Sequence, residues 1–596
     1  MNFKEFAKYV LIVVVSTIAT IGTIIFLFIF FINLMVSSID TNISQKETGA
    51  IKSNTVLRLM LDKPIREKQG DPFEFFDPKD FQFKPPLTLY QMLQAIEEAA
   101  RDDKIKGIVI QPGMVSSGMV ITDEIREALK KFKESRKFVI AYAPYYSQTD
   151  YILSSVADSI YLHPLGTVDW RGMSAQILFY KKALESLGIN MQVIRHGKFK
   201  SAVEPFMQDK MSEANREQNK HILKVLWEQM LENVSQSIGL KRNELDELAS
   251  GLKLQSAEDV WSAGMITDLA TYPDLEEMLR THLETEKINW LDLEKYYRKK
   301  KLKNLFKSFE KGSHIAVLVA EGEIVDGVGE PNQIGSISFI NQIRKLKDDD
   351  DVKGVVLRIN SPGGSALASE EIWNELMLLK EEKPLVVSMG NVAASGGYYI
   401  AVAGDKIFTH PMTITGSIGV FGLIPDISGL MKDKLKINVD TVKTHPHADM
   451  GIFRPLDETE KNYIQNMIEH TYTMFLERVA DGRGMSVAQV DSIGQGRVWT
   501  GVDALRLGLA DSAGGLKDAI AYMAEETGLD ENQVRFYPKS DNPFFELFSM
   551  QSAEEMLRVY RDLKDFSPEK LAVKSIEKIK KMNRIQARMP YQFIWN

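Results

Sequence analysis

The stretch "GYYIAVAGDKIFTHP", residues 397–411, decides the fold prediction because the chain carries a second, related copy of it. The counterpart is "DYILSSVADSIYLHP" (150–164), and "DDKIKGIVIQ" (102–111) resembles "DDVKGVVLR" (350–358) in the same way. Three residue pairs have the same offset of 247: Gly107 and Gly354, Asp158 and Asp405, Pro164 and Pro411. A constant offset over separate stretches indicates an internal duplication.

Each copy alternates short apolar runs with helical patterns. "GVVLRIN" (354–360) predicts a buried strand, and "ALASEEIWNELMLLKEE" (366–382) predicts an amphipathic helix. This alternation is typical of an α/β fold with a largely parallel sheet. We therefore predict two tandem α/β domains, and the predicted segments of the chain are: an anchor (1–40), a first domain (51–300), a second domain (312–540) and a basic helical tail (541–596).

The N-terminus predicts a transmembrane helix. Residues 9–39 are 31 consecutive residues without a charge, whereas about 20 suffice to cross a hydrocarbon core. A cleaved signal peptide is the alternative, but its apolar region usually has about 7 to 15 residues. Lys4 and Lys8 precede the span and Asp40 follows it, so the positive-inside rule places the N-terminus in the cytoplasm and the domains on the outer (periplasmic) side of the inner membrane.

Composition excludes several classes of function. The net charge of -8 gives no signature of a nucleic-acid-binding protein. The absence of cysteine removes disulfides, thiolate nucleophiles and cysteine metal sites. We find no phosphate-binding loop and no metal-ligand motif, so we expect no cofactor and no metal. The lysines and arginines of the tail, from Lys570 to Arg588, predict a solvated helix face rather than contact with anionic lipid.

Ser395 is a lone hydroxyl in the small-residue run "NVAASGG" (391–397), between a predicted strand and a predicted helix. The loop "NSPGGS" (360–365) also joins a strand to a helix, and its glycines can leave backbone N–H groups unpaired. Two such amides aimed at one point form an oxyanion hole beside a nucleophile. The alternative is a simple helix cap. The first copy has Gln148 in place of Ser395, so only the second copy carries the full set.

A serine nucleophile needs a base, and the histidines do not provide an obvious one. His163 and His410 occupy matching positions in the two copies, which indicates a structural role. His445 and His447 lie in a proline-containing segment with no evident acidic partner. A buried lysine can act instead if desolvation lowers its pKa, but the residues alone do not choose one lysine among many.

Four motifs in this order resemble one known family: "KFKSAVEPF" (198–206), "NSPGGS", "AASGGYY" (393–399) and "TGSIGVFG" (415–422). Together they resemble the long, duplicated form of bacterial signal peptide peptidase of the protease IV type. The resemblance implies Ser395 as nucleophile, Lys200 as general base, Ser417 as a residue that orients the lysine, and an oxyanion hole from Gly396 with Gly363 or Gly364. It also implies two ClpP/crotonase-like domains, hydrophobic signal peptides as substrates and a membrane-bound homotetramer.

The duplication is compatible with a lysine from the other copy. Aligning "INM" (189–191) with "INV" (437–439) places Ala448 opposite Lys200, so each copy keeps one partner of the pair. Lys198 is the competing base, since it lies two residues away. Two other functions remain open: a catalytically inactive membrane scaffold that binds hydrophobic peptides, and a crotonase-like acyl-CoA enzyme.

Overall fold

The computed structural model describes residues 51–68, 76–77, 82–83, 86–113, 115–304, 312–538 and 586–588. The predicted membrane span at 9–39 lies outside these ranges. Within them, no helix is both long and apolar enough to cross a bilayer.

A six-stranded parallel sheet is the centre of the first half, with the strand order β8-β6-β5-β4-β1-β9. The strands of this half are β1 (Thr55–Leu61), β2 (Phe76–Asp77), β3 (Gln82–Phe83), β4 (Ile105–Pro112), β5 (Phe138–Tyr146), β6 (Ser159–Val168), β7 (Asn190–Arg195), β8 (Asp268–Leu269) and β9 (Asn289–Asp292). The central strands are apolar along most of their length because helices cover both faces of a parallel sheet.

The helices of the first half connect and cover these strands. They are α1 (Leu89–Arg101), α2 (Met119–Lys133), α3 (Gln148–Ser154), α4 (Lys181–Ser186), α5 (Glu204–Met207), α6 (Glu213–Ile238), α7 (Arg242–Ser250), α8 (Ala257–Ser262), α9 (Tyr272–His282) and α10 (Leu293–Asn304). Several begin at a polar side chain that accepts from the first turn, as Ser147 does before α3.

The second half is built around an eight-stranded sheet with the path β19-β17-β15-β13-β10-β21, which β16 and β20 extend from β15. The strands are β10 (His314–Glu321), β11 (Glu323–Val325), β12 (Gln333–Gly335), β13 (Val352–Ser361), β14 (Gly363–Ser365), β15 (Leu385–Ala394), β16 (Lys406–Thr409), β17 (Ile414–Gly416), β18 (Phe421–Asp426), β19 (Val498–Thr500), β20 (Ser512–Ala513), β21 (Val534–Tyr537) and β22 (Gln586–Arg588). The helices are α11 (Ser336–Asp348), α12 (Ala366–Lys380), α13 (Gly396–Ala401), α14 (Glu458–Arg483), α15 (Val487–Ile493), α16 (Gly501–Leu507) and α17 (Leu516–Thr527).

The element bounds reproduce the duplication. Helices α2 and α12 are both 15 residues long and begin 247 residues apart, and β5 and β15 begin 247 residues apart as well. The predicted duplicated α/β fold is therefore confirmed, whereas the domain limits stay predictions. One expectation needs correction. Gln586–Arg588 lies within the tail predicted to be helical, but it forms a strand, because its backbone pairs antiparallel with β14. The remainder of that tail lies outside the described residues.

A third sheet joins the two halves, with the order β12-β11-β14-β22-β18-β7. Strand β7 belongs to the first half and pairs antiparallel with β18 of the second, from Arg195 opposite Phe421 to Asn190 opposite Asp426. This pairing carries the chain that follows β7, including Lys200, against the second half.

A buried ion cluster also ties the halves together. Arg358 of β13 donates to Glu67 and to Glu124 of the first half, at 2.7 Å in each case. All three side chains are buried, and burial raises the pKa of Glu67 to about 7. One guanidinium faces two carboxylates here, so removing the cation would leave buried negative charge without a partner.

Candidate active site

Ser395 stands at the sharp junction between β15 and α13 and is fully buried. Its backbone has φ 56° and ψ -117°, a conformation that a residue with a side chain rarely adopts. The backbone holds it there, because Ser395 N donates to Gly416 O at 2.8 Å and Ser395 O accepts from Tyr399 N at 2.8 Å. The side chain makes no capping hydrogen bond to α13. The simple helix-cap explanation of this serine is therefore wrong.

The Ser395 hydroxyl instead contacts Lys200 of the first half. Lys200 Nζ lies 2.8 Å from Ser395 Oγ, although the two residues are 195 positions apart in the sequence. The same nitrogen lies 3.0 Å from both the carbonyl oxygen and Oγ of Ser417. Lys200 is fully buried, and burial lowers its pKa well below the ordinary value of 10.5. Burial favours the neutral form of the amine, and a neutral lysine can accept a proton from a hydroxyl.

Two glycines of the second half make room for Lys200. A Cβ on Gly496 would lie 2.5 Å from Lys200 Cβ, and a Cβ on Gly419 would lie 3.3 Å from Lys200 Cδ. The neighbouring backbone is also fixed, since Phe199 N donates to Gln495 O at 2.9 Å. Sequence reasoning missed both glycines. Gly419 lies within the motif "TGSIGVFG", whereas no motif pointed to Gly496.

Ser417 shares the unusual backbone geometry of Ser395. Its φ is 52°, and its N–H donates to Arg497 O at 2.7 Å. The preceding residue, Gly416, also has a positive φ of 73°. These two residues turn the chain so that both oxygens of Ser417 face the lysine nitrogen.

The "NSPGGS" loop lies beside the Ser395 junction, since a Cβ on Gly397 would lie 2.6 Å from Ser361 O. Gly363 has φ 90°, and its N–H donates to Ser361 Oγ at 3.2 Å. Gly364 has no room for a side chain, since a Cβ would lie 1.9 Å from Ile324 O. The N–H of Gly396 is the first of α13, where a helix supplies no internal acceptor. Because the Gly363 N–H already donates to Ser361 Oγ, it would have to leave this acceptor before it could donate to an oxyanion.

The other base considered from the sequence lies elsewhere. Lys198 is exposed, with its Nζ 5.5 Å from the centre of the Phe199 ring. Gln148, the first-half counterpart of Ser395, makes different contacts. Its Oε1 accepts from Arg171 N at 3.3 Å and from Gly172 N at 3.1 Å. Ala448, the counterpart of Lys200, is exposed.

The histidines make structural contacts in the described residues. His410 Nε2 contacts Asp123 Oδ2 at 2.9 Å across the two halves, and His163 Nδ1 accepts from Leu165 N at 3.1 Å. His445 Nδ1 contacts Thr444 Oγ1 at 3.0 Å. His447 does have an acidic partner that the sequence did not reveal, because its Nδ1 lies 3.2 Å from Glu460 Oε1.

His447, Asp457 and Glu460 bring potential metal ligands within 4.8 Å of one another. However, Arg454 donates to the two oxygens of Glu460 at 2.6 and 2.8 Å. These hydrogen bonds lower the pKa of Glu460 to about 2. A guanidinium thus already supplies the positive charge that a metal ion would bring.

Two family models match the chain. The model described as "Peptidase family S49" matches residues 131–286 and 377–530, and "Clp protease" matches residues 313–433. The two S49 matches begin 246 residues apart, close to the internal offset of 247.

Curated relatives extend over most of the chain. "Protease 4" of Haemophilus influenzae is 35% identical over 510 residues, which cover 83% of this chain and 82% of that protein. "Protease 4" of Salmonella typhi is 36% identical, with 76% and 74% covered. "Serine protease SPPA, chloroplastic" of Arabidopsis thaliana is 32% identical, with 76% and 68% covered.

Proposed function

This chain belongs to peptidase family S49 and is a serine protease, and we propose that Ser395 is its nucleophile and Lys200 its general base. The observation that carries the proposal is the 2.8 Å contact between Lys200 Nζ and Ser395 Oγ. It is strengthened by the burial of both side chains and by the lowered pKa of the lysine.

A neutral amine has two N–H donors and one lone pair. The three oxygen atoms within 3.0 Å of Lys200 Nζ match this number of hydrogen bonds. In the neutral form that we propose, two N–H groups donate to Ser417 O and Oγ. The lone pair then accepts from the Ser395 hydroxyl, whose Oγ lies 2.8 Å from Nζ. As Ser395 Oγ attacks the peptide carbonyl, its proton passes to Lys200, which then protonates the leaving amine. Water activated by the same lysine hydrolyses the acyl-enzyme, which releases the second product and restores Ser395.

The negative charge on the attacked oxygen needs fixed donors. We assign this role to the N–H of Gly396 together with that of Gly363 or Gly364. The positive φ of Gly363 and the missing side chain of Gly364 allow the loop to approach a substrate backbone closely. Ser361 Oγ holds the Gly363 N–H in the free enzyme and would release it to the oxyanion.

We propose hydrophobic peptides, in particular signal peptides left in the membrane, as substrates. The motif resemblance and the apolar N-terminal segment 9–39 support a single-pass inner-membrane anchor, with a cytoplasmic N-terminus and the catalytic halves on the outer side. Three exposed apolar side chains of the second half support an apolar substrate. Leu367 lies in α12, directly after β14, and Val328 and Ile337 lie on either side of β12, a strand of the same sheet.

A homotetramer is the proposed assembly. Two adjacent segments, 178–187 and 435–453, expose apolar side chains of a kind that protein contacts usually cover. The residue after the first segment is hydrogen-bonded to the chain shortly before the second, because Leu430 N donates to Gly188 O at 2.7 Å. The exposed members are Leu178, Tyr180, Leu187, Leu435, Ile437, Val439, Val442, Met450 and Phe453. Light scattering of the detergent-solubilised protein measures the number of chains, and a monomer would contradict the proposal.

The decisive experiment compares Ser395→Ala, Lys200→Ala and Lys198→Ala in the full chain, with hydrolysis of a hydrophobic signal peptide as the readout. We expect the first two variants to lose at least about a thousandfold in kcat/KM, and Lys198→Ala to keep wild-type activity. Because the neutral lysine is the active form, the wild-type rate should rise with pH through a pKa well below 10.5. Full activity of Lys200→Ala would overturn the assignment of the base.

A further inference from the structure

The main chain makes a tight turn at Lys200. The φ of -73° and the ψ of 74° at this residue are close to those of an inverse γ-turn. The hydrogen bond of such a turn is present as well, because Ser201 N donates to Phe199 O at 2.7 Å. The turn sets the direction in which the Lys200 side chain leaves the main chain. Since Nζ lies at the end of a flexible four-carbon stem, a small rotation of the turn moves Nζ away from its oxygen partners.

The side chain of Arg195, the last residue of β7, holds this turn from within the same loop. Its Nη1 donates to Lys200 O at 3.0 Å. The carbonyl of the peptide between Lys200 and Ser201 is therefore held by Arg195, and the N–H of that peptide is held by Phe199. Because the guanidinium is planar and rigid, it defines the orientation of this peptide more sharply than a flexible amine would.

A buried carboxylate keeps the guanidinium in place. Glu204 is fully buried, and its Oε1 lies 3.8 Å from Arg195 Nη1. The carboxylate is itself fixed at the start of α6, since it accepts from Ser212 Oγ at 2.6 Å and from Asn215 Nδ2 at 2.8 Å. The guanidinium therefore contacts both the Lys200 carbonyl and Glu204, and it closes the loop that contains Lys200. Glu204 belongs to the motif "KFKSAVEPF", in which sequence reasoning gave it no role.

The main chain of Arg195 is fixed to the second half. Arg195 is opposite Phe421 of β18, and the pairing continues because His196 N donates to Val420 O at 3.1 Å. Ser417 precedes Val420 by three residues in the same segment. Arg195 therefore connects the segment that carries Ser417 to the turn that carries the proposed base.

We infer that Arg195 is a positioning residue, which holds the Lys200 peptide so that Nζ stays between Ser395 and Ser417. Glu204 assists by holding the guanidinium. This inference rests on the proposed function, since it takes Lys200 as the general base. Arg195 acts through the main chain of Lys200 and takes no part in proton transfer. Without its hydrogen bond the turn can rotate, so that the amine leaves its three oxygen partners and water reaches it.

The test isolates the hydrogen bond to Lys200 O. Arg195→Met by itself also leaves the buried Glu204 without its cation, which lowers stability. The double variant Arg195→Met/Glu204→Gln is therefore compared with Glu204→Gln, so that the buried negative charge is absent from both proteins. Hydrolysis of a hydrophobic signal peptide by the full chain is the readout. We expect the double variant to have a kcat about a hundredfold lower than Glu204→Gln and the same KM, because a displaced base affects the chemical step.

The matched control removes an arginine beside a different buried glutamate. Arg454 donates to Glu460 at 2.6 Å, and the two side chains are 28% and 1% exposed, against 24% and 0% for Arg195 and Glu204. We expect Arg454→Met/Glu460→Gln to keep the kcat of Glu460→Gln. An equal loss of kcat in both comparisons would show a general effect of removing such a pair. That result would overturn the inference, as would equal kcat values in Arg195→Met/Glu204→Gln and Glu204→Gln.

The pH profile separates a positioning role from a purely structural one. Burial lowers the pKa of Lys200, so an amine that water reaches should have a pKa closer to about 10.4. The rise of kcat/KM with pH should therefore lie at higher pH in the double variant than in Glu204→Gln. Partial unfolding reduces the amount of active enzyme without moving this rise. An unchanged profile would overturn the inference.

Chemical modification tests the position of Lys200 without catalysis. In the Ser395→Ala background, acetic anhydride should acetylate Lys200 at least about tenfold faster in the double variant than in Glu204→Gln, because a buried amine reacts only after local opening. Mass spectrometry measures the acetylation, and the exposed Lys198 provides the internal reference.

This readout separates the inference from the proposed function. If Lys200→Ala keeps full activity but Arg195 controls the acetylation of Lys200, the proposed function fails and the positioning of Lys200 by Arg195 stands. If Lys200 proves to be the base and its acetylation does not depend on Arg195, the positioning inference fails alone.

Discussion

At the scale of single residues, the site combines backbone strain with a desolvated amine. Ser395 and Ser417 both have positive φ values, 56° and 52°, which cost about 1–3 kcal/mol each and persist only where the surroundings impose them. Lys200 is buried with hydroxyl and carbonyl partners, and burial is the cause of its lowered pKa. These features lower stability, and they bring the proposed nucleophile and the proposed base into contact.

Replacing Lys200, the proposed base, with an apolar side chain of similar length should therefore stabilise the protein. The unfolded lysine has a pKa near 10.4, whereas the folded pKa is lower, so the unfolded chain binds more protons between these values. The free energy of unfolding then rises with pH across that window. We expect Lys200→Met to raise the urea midpoint at pH 7 while abolishing activity, and this gain should shrink as pH approaches about 10.4. A difference that does not change with pH would contradict the burial of an unprotonated lysine.

The glycine behind the lysine gives a second prediction at this scale. In Gly496→Ala the new Cβ would meet Lys200 Cβ at 2.5 Å, so the lysine must shift. A shift of this size near the reacting atoms should lower kcat/KM about a hundredfold.

The matched control for Gly496→Ala is Gly239→Ala. Gly239 has nearly the same φ, 79° against 77°, but its Cβ would meet nothing within 4 Å. We expect the control to lose stability from backbone strain and to keep kcat/KM. Equal losses of activity in the two variants would show that strain, and not the position of Lys200, is responsible.

At the scale of secondary structure elements, the contacts between β13, the segment after β1 and α2 hold the two halves in register. Arg358 of β13 donates to Glu67 and Glu124, and Glu124 Oε2 also accepts from Leu516 N at 3.1 Å, at the start of α17. The cluster therefore links β13 to three other parts of the chain: the segment after β1, α2 and the start of α17. Its residues lie far apart in the sequence, so it forms only when the halves are packed.

The cluster predicts a pH-dependent contribution to stability. Burial raises the pKa of Glu67 from 4.5 to about 7, so the folded chain binds more protons in that range. Its contribution to the free energy of unfolding is fully present below about pH 4.5 and is lost as pH rises through 7. We expect the urea midpoint of the wild type to fall between pH 5 and 8 more steeply than that of Glu67→Gln.

Arg358→Met is the companion measurement for this cluster. It leaves two buried carboxylates without a cation, and we expect a loss of about 3–5 kcal/mol at neutral pH. Identical pH dependence in the wild type and Glu67→Gln would mean that Glu67 does not titrate in this range.

At the scale of the whole molecule, the duplication has divided the proposed chemistry between the copies. Lys200 comes from the first half and Ser395 from the second, and β7 pairs with β18 to bring them together. Gln148, the first-half counterpart of Ser395, has no hydroxyl, and Ala448, the second-half counterpart of Lys200, has no amine. One chain therefore holds one complete Ser-Lys pair, formed within that chain.

This arrangement predicts that inactive chains do not rescue each other. When Ser395→Ala and Lys200→Ala chains are co-expressed with different tags and purified as mixed assemblies, we expect no activity above that of either variant alone. Mixed assemblies of wild type with Ser395→Ala serve as the control and should retain activity in proportion to their wild-type chains. Restored activity in the double-variant assemblies would show that the pair forms between neighbouring chains.

The sequence by itself determined the element types and the duplication. Apolar periodicity within 10 to 20 residues is a local property, so the strand at 354–360 and the helix at 366–382 were predictable and are confirmed as β13 and α12. The constant offset of 247 was visible without any structure. The lone hydroxyl of Ser395 among small residues was evident in the same way.

Only the tertiary structure decided which groups meet. No local pattern tells whether Ser395 caps a helix or faces a lysine 195 residues away, and none distinguishes buried Lys200 from exposed Lys198. The basic pattern of the tail predicted a helix that includes Gln586–Arg588. The strand there was not predictable locally, because its pairing partner, β14, lies more than 200 residues earlier. Burial and strand pairing depend on the packing of the whole chain, and they set both the pKa of Lys200 and the strand pairing of Gln586–Arg588.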